Sequence, residues 1–143
     1  MIRKLIIGAL LIISAGCSDK LSLNALNGTY TGEFYYVEPG KSLEDKVAAP
    51  ASLTFSGENY TSQGGPERIP AGGSGRFDIL KNKLVNFKDQ NIWTANFDWG
   101  LILNGKYNYE LKGDSLILTR YSEPCPNCSM LTSLYQYRLK RTN

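Results

Sequence analysis

Two cysteines separated by two residues, Cys125 and Cys128, form the motif with the greatest reactive potential in this 143-residue chain. Thiols at this spacing can close a disulfide, act as a redox couple or supply two ligands to a zinc ion. A redox couple needs a lowered thiol pKa, typically from a helix N-terminus in a thioredoxin-like unit, and the sequence around the motif predicts no such unit. Zinc would need further thiolates or histidines. We therefore expect a structural disulfide that pins the last hairpin loop, with redox activity and metal binding as the alternatives.

The amino-acid composition of the chain gives little support for other kinds of catalysis. The chain contains no histidine, which excludes a Ser-His-Asp arrangement and most catalytic zinc sites. Glu33 and Asp98 could in principle form a glycosidase-like acid pair, but nothing in their spacing brings them together. The glycine-rich stretch 64–75 lacks the Lys-Ser/Thr ending of a phosphate-binding loop. We expect no enzyme, no metal and no cofactor.

The third cysteine, Cys17, ends an N-terminal segment with the layout of a secretory signal. Arg3 and Lys4 precede an apolar run over residues 5–13, and small residues occupy positions 14–16. The apolar run is well short of the ~20 residues that a membrane-spanning helix needs. Ordinary secretion and an uncleaved anchor are the alternatives to cleavage next to Cys17.

Residues 14–17 resemble a bacterial lipobox, with Ser14 in the place of the usual leucine. The resemblance implies that signal peptidase II removes residues 1–16 and that Cys17 becomes lipidated (the palmitate-type modification of lipoproteins). Its acyl chains would hold the protein on a membrane of the bacterial envelope. Ser18 in place of an aspartate fits sorting to the outer membrane. Removal of the two basic residues in the signal leaves 14 basic against 13 acidic residues, so nucleic acid is not an expected partner.

Beyond the anchor, the chain alternates apolar and polar residues with a period of two, which indicates β-strands. The polar segment up to residue 27 is interpreted as a tether, so that residues 17–27 carry the lipid and residues 28–143 form the folded domain. Gly32 interrupts the first strand and predicts a bend or bulge. The glycines and prolines of 64–75 predict the most flexible segment, and residues 39–50 predict a loop. The eight predicted strands cover residues 28–37, 51–56, 59–62, 75–80, 83–88, 100–111, 115–121 and 133–141.

Eight short strands with hairpin-length links favour an all-β, antiparallel, up-and-down barrel. A β-sandwich ranks second, because only the segment 89–99 could supply a longer crossover.

Three segments resemble the small lipocalin-like (calycin-type) lipoproteins of Gram-negative envelopes. Residues 26–30, Leu-Asn-Gly-Thr-Tyr, resemble the opening L-x-G-T-W of that family, with Tyr30 in place of the tryptophan. Residues 104–109 and 113–118 resemble its late hairpin, and residues 135–139 its closing strand. The resemblance implies a lipocalin-like barrel in which a late arginine, Arg120 or Arg138, packs over Tyr30.

Barrel mouths are common small-molecule sites, and the chain is rich in aromatic residues that the alternation directs inward. We expect the barrel either to bind a small apolar or amphipathic ligand or, if its own side chains fill it, to serve as a non-enzymatic accessory that contacts an envelope protein. The candidate ligand-binding residues are Tyr30, Phe34, Tyr36, Trp93, Trp99, Tyr107, Tyr109, Tyr135 and Tyr137. For the segment around the two tryptophans, core packing is the stronger interpretation.

Overall fold

The structure, a computed structural model, describes residues 23–38, 40–123 and 133–142. These residues form a closed antiparallel barrel of eight strands, preceded by a single helical turn, α1 (Leu23–Leu26). The strands are β1 (Gly28–Val37), β2 (Val47–Ser56), β3 (Asn59–Ser62), β4 (Gly73–Ile79), β5 (Leu84–Asp89), β6 (Gly105–Lys112), β7 (Ser115–Arg120) and β8 (Leu134–Thr142).

Each strand pairs with the next one along the chain, and β8 pairs with β1 to close the barrel. The closing register runs without interruption from Thr29 opposite Thr142 to Val37 opposite Leu134. Closure satisfies the backbone groups that the edge strands of an open sheet would expose. The all-β, antiparallel barrel expected from the sequence is confirmed, and it is compatible with a lipocalin-like fold.

The two ends of the barrel differ in the length of their connections. At one end, here called the loop end, the strands are joined by the long segments 38–46, 63–72, 90–104 and 121–133. At the other, the turn end, the connections are the short segments 57–58, 80–83 and 113–114, and α1 lies there too. The fold therefore gathers its longest loops at one rim.

Two strand boundaries differ from the prediction by more than two residues. Strand β2 begins at Val47 rather than at residue 51 and contains Pro50, which pairs with Glu33 of β1. Proline is tolerated there because β3 pairs only with Leu53–Ser56, so the first part of β2 has a neighbour on one side only. Strand β6 begins at Gly105 rather than at residue 100, because residues 99–101 form a turn of 3₁₀ helix.

The expectation of a flexible segment over residues 64–75 is wrong for its second half. Pro70, Ala71 and Gly72 are buried, and Gly72 accepts a hydrogen bond of 2.8 Å from the backbone N–H of Leu103. Gly72 has a φ of +91°, and a Cβ there would lie 2.7 Å from the carbonyl oxygen of Ser62. Here glycine permits a close backbone approach rather than mobility.

Gly32 shows the same use of glycine inside β1. The pairing of β1 with both neighbours continues through Gly32 with no extra residue, so the predicted bulge is absent. A Cβ at Gly32 would lie 2.2 Å from the carbonyl oxygen of Arg138. The missing side chain lets β1 and β8 approach closely at this point.

The turn end is held by an arginine that the sequence analysis did not select. The guanidinium of Arg141 lies over the ring of Tyr30 at 5.1 Å, and its Nε donates to the Tyr30 hydroxyl at 3.1 Å. Its NH2 group also donates to the carbonyl of Ala25 in α1. The expected partners Arg120 and Arg138 contact Tyr135 and Tyr35 instead. Arg141 thus joins β8, β1 and α1.

The helical turn belongs to the packed domain. Leu26, the last residue of α1, is fully buried in the core, and Leu23 packs against the same cluster. Packing therefore starts within the segment 17–27 that the sequence analysis treated as tether.

Aromatic rings pack against one another in the interior of the barrel. Phe87 lies at its centre and contacts the rings of Phe55, Phe77, Tyr60 and Tyr107, with centroid distances of 6.2, 6.1, 4.8 and 5.6 Å. The largest fully buried side chains are Tyr30, Tyr60, Tyr107, Tyr137, Phe34, Phe55, Phe77 and Phe87. An eight-stranded barrel is just wide enough for its own side chains to fill, and here large rings occupy that space.

Candidate functional site at the loop end

The nine aromatic residues selected from the sequence do not form one site. Tyr30 lies at the turn end under Arg141, whereas Tyr36 and Tyr135 lie at the loop end with ring centroids 5.3 Å apart. Between them, Tyr137 contacts the rings of both Phe34 and Tyr107, at 4.7 and 6.4 Å. The alternation correctly predicted that the strand residues face inward, but they are distributed along the whole barrel.

The remaining candidates lie in different settings. Tyr109 is buried, and its N–H donates to the carbonyl of Lys83 at the turn end. Trp93 is half-buried and stacks edge-on with Phe97 at 5.7 Å. Trp99 remains 57% exposed. Of the two tryptophans, Trp93 therefore packs as the core interpretation expected, and Trp99 presents its ring to solvent.

Asp98 organises the rim of the loop end. Its Oδ2 accepts hydrogen bonds from the hydroxyls of Tyr36 at 3.1 Å and Tyr135 at 3.0 Å. Its Oδ1 accepts from the backbone N–H of Gly100 at 2.7 Å, and so caps the 3₁₀ turn over Trp99–Leu101. One carboxylate thus fixes two strands and the loop that carries the exposed tryptophan.

Burial and the charge of Asp98 disfavour ionisation of the two tyrosines. Burial, followed by the nearby carboxylate, raises the pKa of Tyr135 to about 12. The same causes raise the pKa of Tyr36 well above its ordinary value. Arg120 lies over the ring of Tyr135 at 5.2 Å and donates to the carbonyl of Gly100 at 2.7 Å. Both hydroxyls therefore stay protonated as donors at neutral pH and are suited to positioning rather than to proton transfer.

A second carboxylate, Asp89, organises the beginning of the same loop. It accepts hydrogen bonds from the backbone N–H of Ser74, from the backbone and side chain of Asn91 and from the indole N–H of Trp93. Four donors on one carboxylate hold this part of the loop in one conformation. The loop between β5 and β6 therefore presents a surface of fixed conformation.

Arg68, in the loop between β3 and β4, ties a second long loop to the first. Its NH1 donates to the side chains of Thr94 and Asn96 at 3.2 and 3.3 Å. Its guanidinium also lies 5.0 Å from the centre of the Phe97 ring. Two of the four long connections therefore form one continuous surface.

The loop end also exposes apolar side chains. Leu43, within the connection between β1 and β2, is 59% exposed, and Val47, the first residue of β2, is 45% exposed. Trp99 and Ile92 are exposed in the connection between β5 and β6. Exposed apolar groups gathered at one end of a protein are typical of interaction surfaces, whereas single ones are ordinary.

Two buried hydroxyls inside the barrel, those of Ser62 and Tyr137, form no hydrogen bond of good geometry within the described part of the chain, although they lie close enough for Ser62 to lower the pKa of Tyr137 slightly against the effect of burial. Nearby, the Tyr60 hydroxyl donates to the carbonyl of Leu103 at 2.6 Å. Burial raises the pKa of Tyr137 well above its ordinary value and that of Tyr107 to about 12. These neutral groups lie among packed rings and present no nucleophile or base to solvent.

The acid pair considered for Glu33 and Asp98 is not assembled. Asp98 bonds Tyr36 and Tyr135 at the loop end, whereas Glu33 accepts a hydrogen bond from Tyr35 on an exposed part of β1. Within residues 23–38, 40–123 and 133–142, no three side chains of metal-ligating type lie together. In the same ranges, no helix has the length and apolar character to cross a bilayer.

Three predicted sites, Cys17, Cys125 and Cys128, lie outside the described residues, as does the signal segment 1–16. Sequence reasoning missed the organising roles of Asp89 and Asp98. Each is an acidic residue close to a tryptophan in a loop between strands, a signal that could have pointed to a carboxylate anchoring an aromatic loop.

Comparison of the chain with protein-family models, with curated proteins and with solved structures finds no match.

Proposed function

We propose that the chain is a lipid-anchored protein of the bacterial envelope whose filled barrel is a rigid, non-catalytic interaction module. The observation that carries this proposal is the packing of large aromatic rings through the barrel interior, centred on Phe87. A barrel that fills its own interior leaves its surface as the place where a partner can bind.

The loop end is the surface best suited to that role. It combines exposed Trp99 and Leu43 with loops that Asp89, Asp98 and Arg68 hold in place. Preorganised loops lose little conformational entropy on binding, and an exposed tryptophan is a frequent anchor of protein interfaces. The partner expected here is an envelope protein with an apolar pocket for the tryptophan.

A small apolar or amphipathic ligand inside the barrel is supported less well. Such a ligand would have to displace rings such as Phe34 and Tyr137, whose centroids are 4.7 Å apart. Small-molecule pockets usually have a volume of ~300 Å³ or more. That volume is larger than the volume of a single one of these rings, so more than one ring would have to move. A ligand held only at the rim would meet Tyr36, Tyr135 and Trp99.

Site-specific photo-crosslinking in intact cells tests the interaction proposal. A photoreactive amino acid replaces Trp99 or Leu43 at the loop end, with exposed Thr31 on the barrel wall as the matched control. The proposal predicts the same discrete protein adduct from both loop-end positions and none from Thr31. Absence of an adduct at both loop-end positions, or an equal adduct from the wall, would contradict it.

A further inference from the structure

The two ends of the barrel carry opposite charge. The comparison includes the connecting segments at each end and the strand residue on either side of each segment. The loop end has seven carboxylates and four cations, a balance of minus three: Glu38, Glu44, Asp45, Glu67, Asp89, Asp98 and Glu123 against Lys41, Lys46, Arg68 and Arg120. The turn end has three cations and two carboxylates, a balance of plus one: Lys81, Lys83 and Lys112 against Glu58 and Asp114.

Two of the three cations of the turn end are available to a partner. Lys81 and Lys83 are exposed and form no ion pair with any residue that the structure describes. Glu58, one of the two carboxylates, is already paired with Arg76. Lys112 is likewise paired with Glu110 at 3.7 Å, so the positive charge that this end offers to a partner comes from Lys81 and Lys83.

An apolar groove lies beside these lysines. Its volume is about 540 Å³, and its lining consists of four apolar residues, one lysine and two carboxylates: Leu23 of α1, Phe77, Ile79, Leu80, Lys81, Glu58 and Asp78. The two carboxylates are paired with Arg76 and Lys88. Leu80, at the tip of the turn between β4 and β5, is 38% exposed. Apolar side chains with lysines at their margin are the combination that favours a lipid headgroup surface.

The path of the chain brings the same end close to Cys17. Leu23 lies at the turn end, and only six residue steps separate it from Cys17. Fully extended, six steps span at most ~21 Å. A ten-residue strand such as β1, at ~3.3 Å per residue and a tilt of ~40°, makes the barrel wall ~25 Å high. A segment that starts at the turn end is thus too short to bring the loop end to the membrane.

We propose that the turn end rests on an anionic phospholipid surface, with Leu80, Lys81 and Lys83 at the contact, and that the loop end points away from the membrane. This orientation rests on the proposed lipid anchor at Cys17. Attraction of the turn-end lysines and repulsion of the acidic loop end act in the same direction, and both fall off within about 10 Å of the surface at physiological salt. The orientation would leave the loop end free to meet a second protein.

The experiment uses the full lipidated protein in vesicles that contain phosphatidylglycerol and a quencher attached to lipid headgroups. A fluorophore is placed at Lys112→Cys on the turn end or, as a matched control, at Lys41→Cys on the loop end. Cys125 and Cys128 are replaced by serine so that only the introduced thiol is labelled. The proposal predicts severalfold stronger quenching at residue 112 than at residue 41.

Equal quenching at the two positions, or stronger quenching at residue 41, would overturn the orientation. Failure of the anchor itself is recognised separately, because the protein would then not float with the vesicles and its N-terminal peptide would lack the mass of acyl chains. That result would reject the proposed lipid attachment and, with it, this orientation.

A charge variant tests the electrostatic part. Lys81→Glu with Lys83→Glu should lower quenching at residue 112 by about twofold or more in phosphatidylglycerol vesicles, since each lysine near an anionic surface favours contact several-fold. Quenching at residue 112 should still exceed that at residue 41, because the short segment after Cys17 keeps the loop end from the membrane. The matched control, Lys41→Glu with Lys46→Glu at the loop end, should leave quenching at residue 112 unchanged. An unchanged signal in the turn-end variant would show that the lysines do not hold this end on the surface.

Discussion

Replacing Phe87 by alanine should open a cavity in the centre of the barrel and destabilise the fold strongly. Phe87 is 1% exposed and contacts four other rings. A buried aromatic side chain removes ~150–250 Å² from water, which at ~25 cal/mol per Å² corresponds to roughly 4–6 kcal/mol for the whole ring. Alanine retains part of this area, and buried Phe→Ala changes cost ~3–5 kcal/mol. We expect a loss of about 4 kcal/mol in the free energy of unfolding.

The assay is urea unfolding of a chain that begins at residue 18, followed by circular dichroism and by tyrosine fluorescence. Ile92→Ala serves as the matched control, because Ile92 is fully exposed and its truncation should leave the midpoint unchanged. In addition, a small aromatic probe such as benzene should stabilise Phe87→Ala more than the parent chain, because the substitution opens a buried apolar cavity at position 87. A loss below ~1.5 kcal/mol, well under the usual cost of such a change, or equal stabilisation of both chains by benzene would refute the packed interior.

Three further predictions concern the turn end, the buried hydroxyls and the cysteines. Arg141→Ala should lower the free energy of unfolding by roughly 1–3 kcal/mol, measured in urea, because it removes the hydrogen bond and ring contact to Tyr30. Burial raises the pKa of Tyr107 from its ordinary 10.0 to about 12, so its contribution to stability is fully present below pH 10 and is lost as the pH rises towards 12, which tyrosinate absorbance and circular dichroism can follow together. Without reductant, Cys125 and Cys128 should resist alkylation in the oxidised protein, and both should react after reduction.

For each of these three predictions there is a control variant or a result that would contradict it. Arg138→Ala removes an arginine that lies over the half-buried Tyr35 ring at 4.8 Å and should cost clearly less than Arg141→Ala, because Arg141 also contacts α1. Equal costs would contradict the role given to Arg141. Ionisation of every tyrosine near pH 10 with an unchanged circular dichroism spectrum would contradict the burial of the hydroxyls. Alkylation of both thiols before reduction would remove the disulfide hypothesis and favour the redox or metal alternatives.

The sequence predicted the barrel because period-two alternation is a local signal. The odd-numbered face of β6, with Tyr107 and Tyr109, is buried as expected. Alternation within the predicted strand 100–111 would put Ile102 on the same face as Asn104 and Lys106. Ile102 is instead 4% exposed, because the chain there leaves a 3₁₀ turn and has not yet entered β6. The alternation of apolar and polar residues predicts whether a side chain faces inward or outward only where the chain forms a strand.

The candidate site was harder to predict because its residues meet through the tilt and closure of the barrel. Alternation shows that Tyr30 and Tyr36 face inward, but it does not place one at the turn end and the other at the rim. The contact of Arg141 with Tyr30 depends on the offset between β8 and β1, in which Arg141 stands opposite Tyr30. Arg138, the residue expected there, stands opposite Glu33 instead. That offset is a property of the paired strands, and neither strand's sequence alone specifies it.

Native mass spectrometry of the mature protein, purified from the membranes in which it is made, tests most directly whether the barrel interior is filled. We expect the mass of the acylated chain alone, because rings such as Phe34, Phe87 and Tyr137 occupy the interior. A small apolar molecule retained at one per chain, and lost only on unfolding, would contradict the filled barrel and favour a ligand carrier.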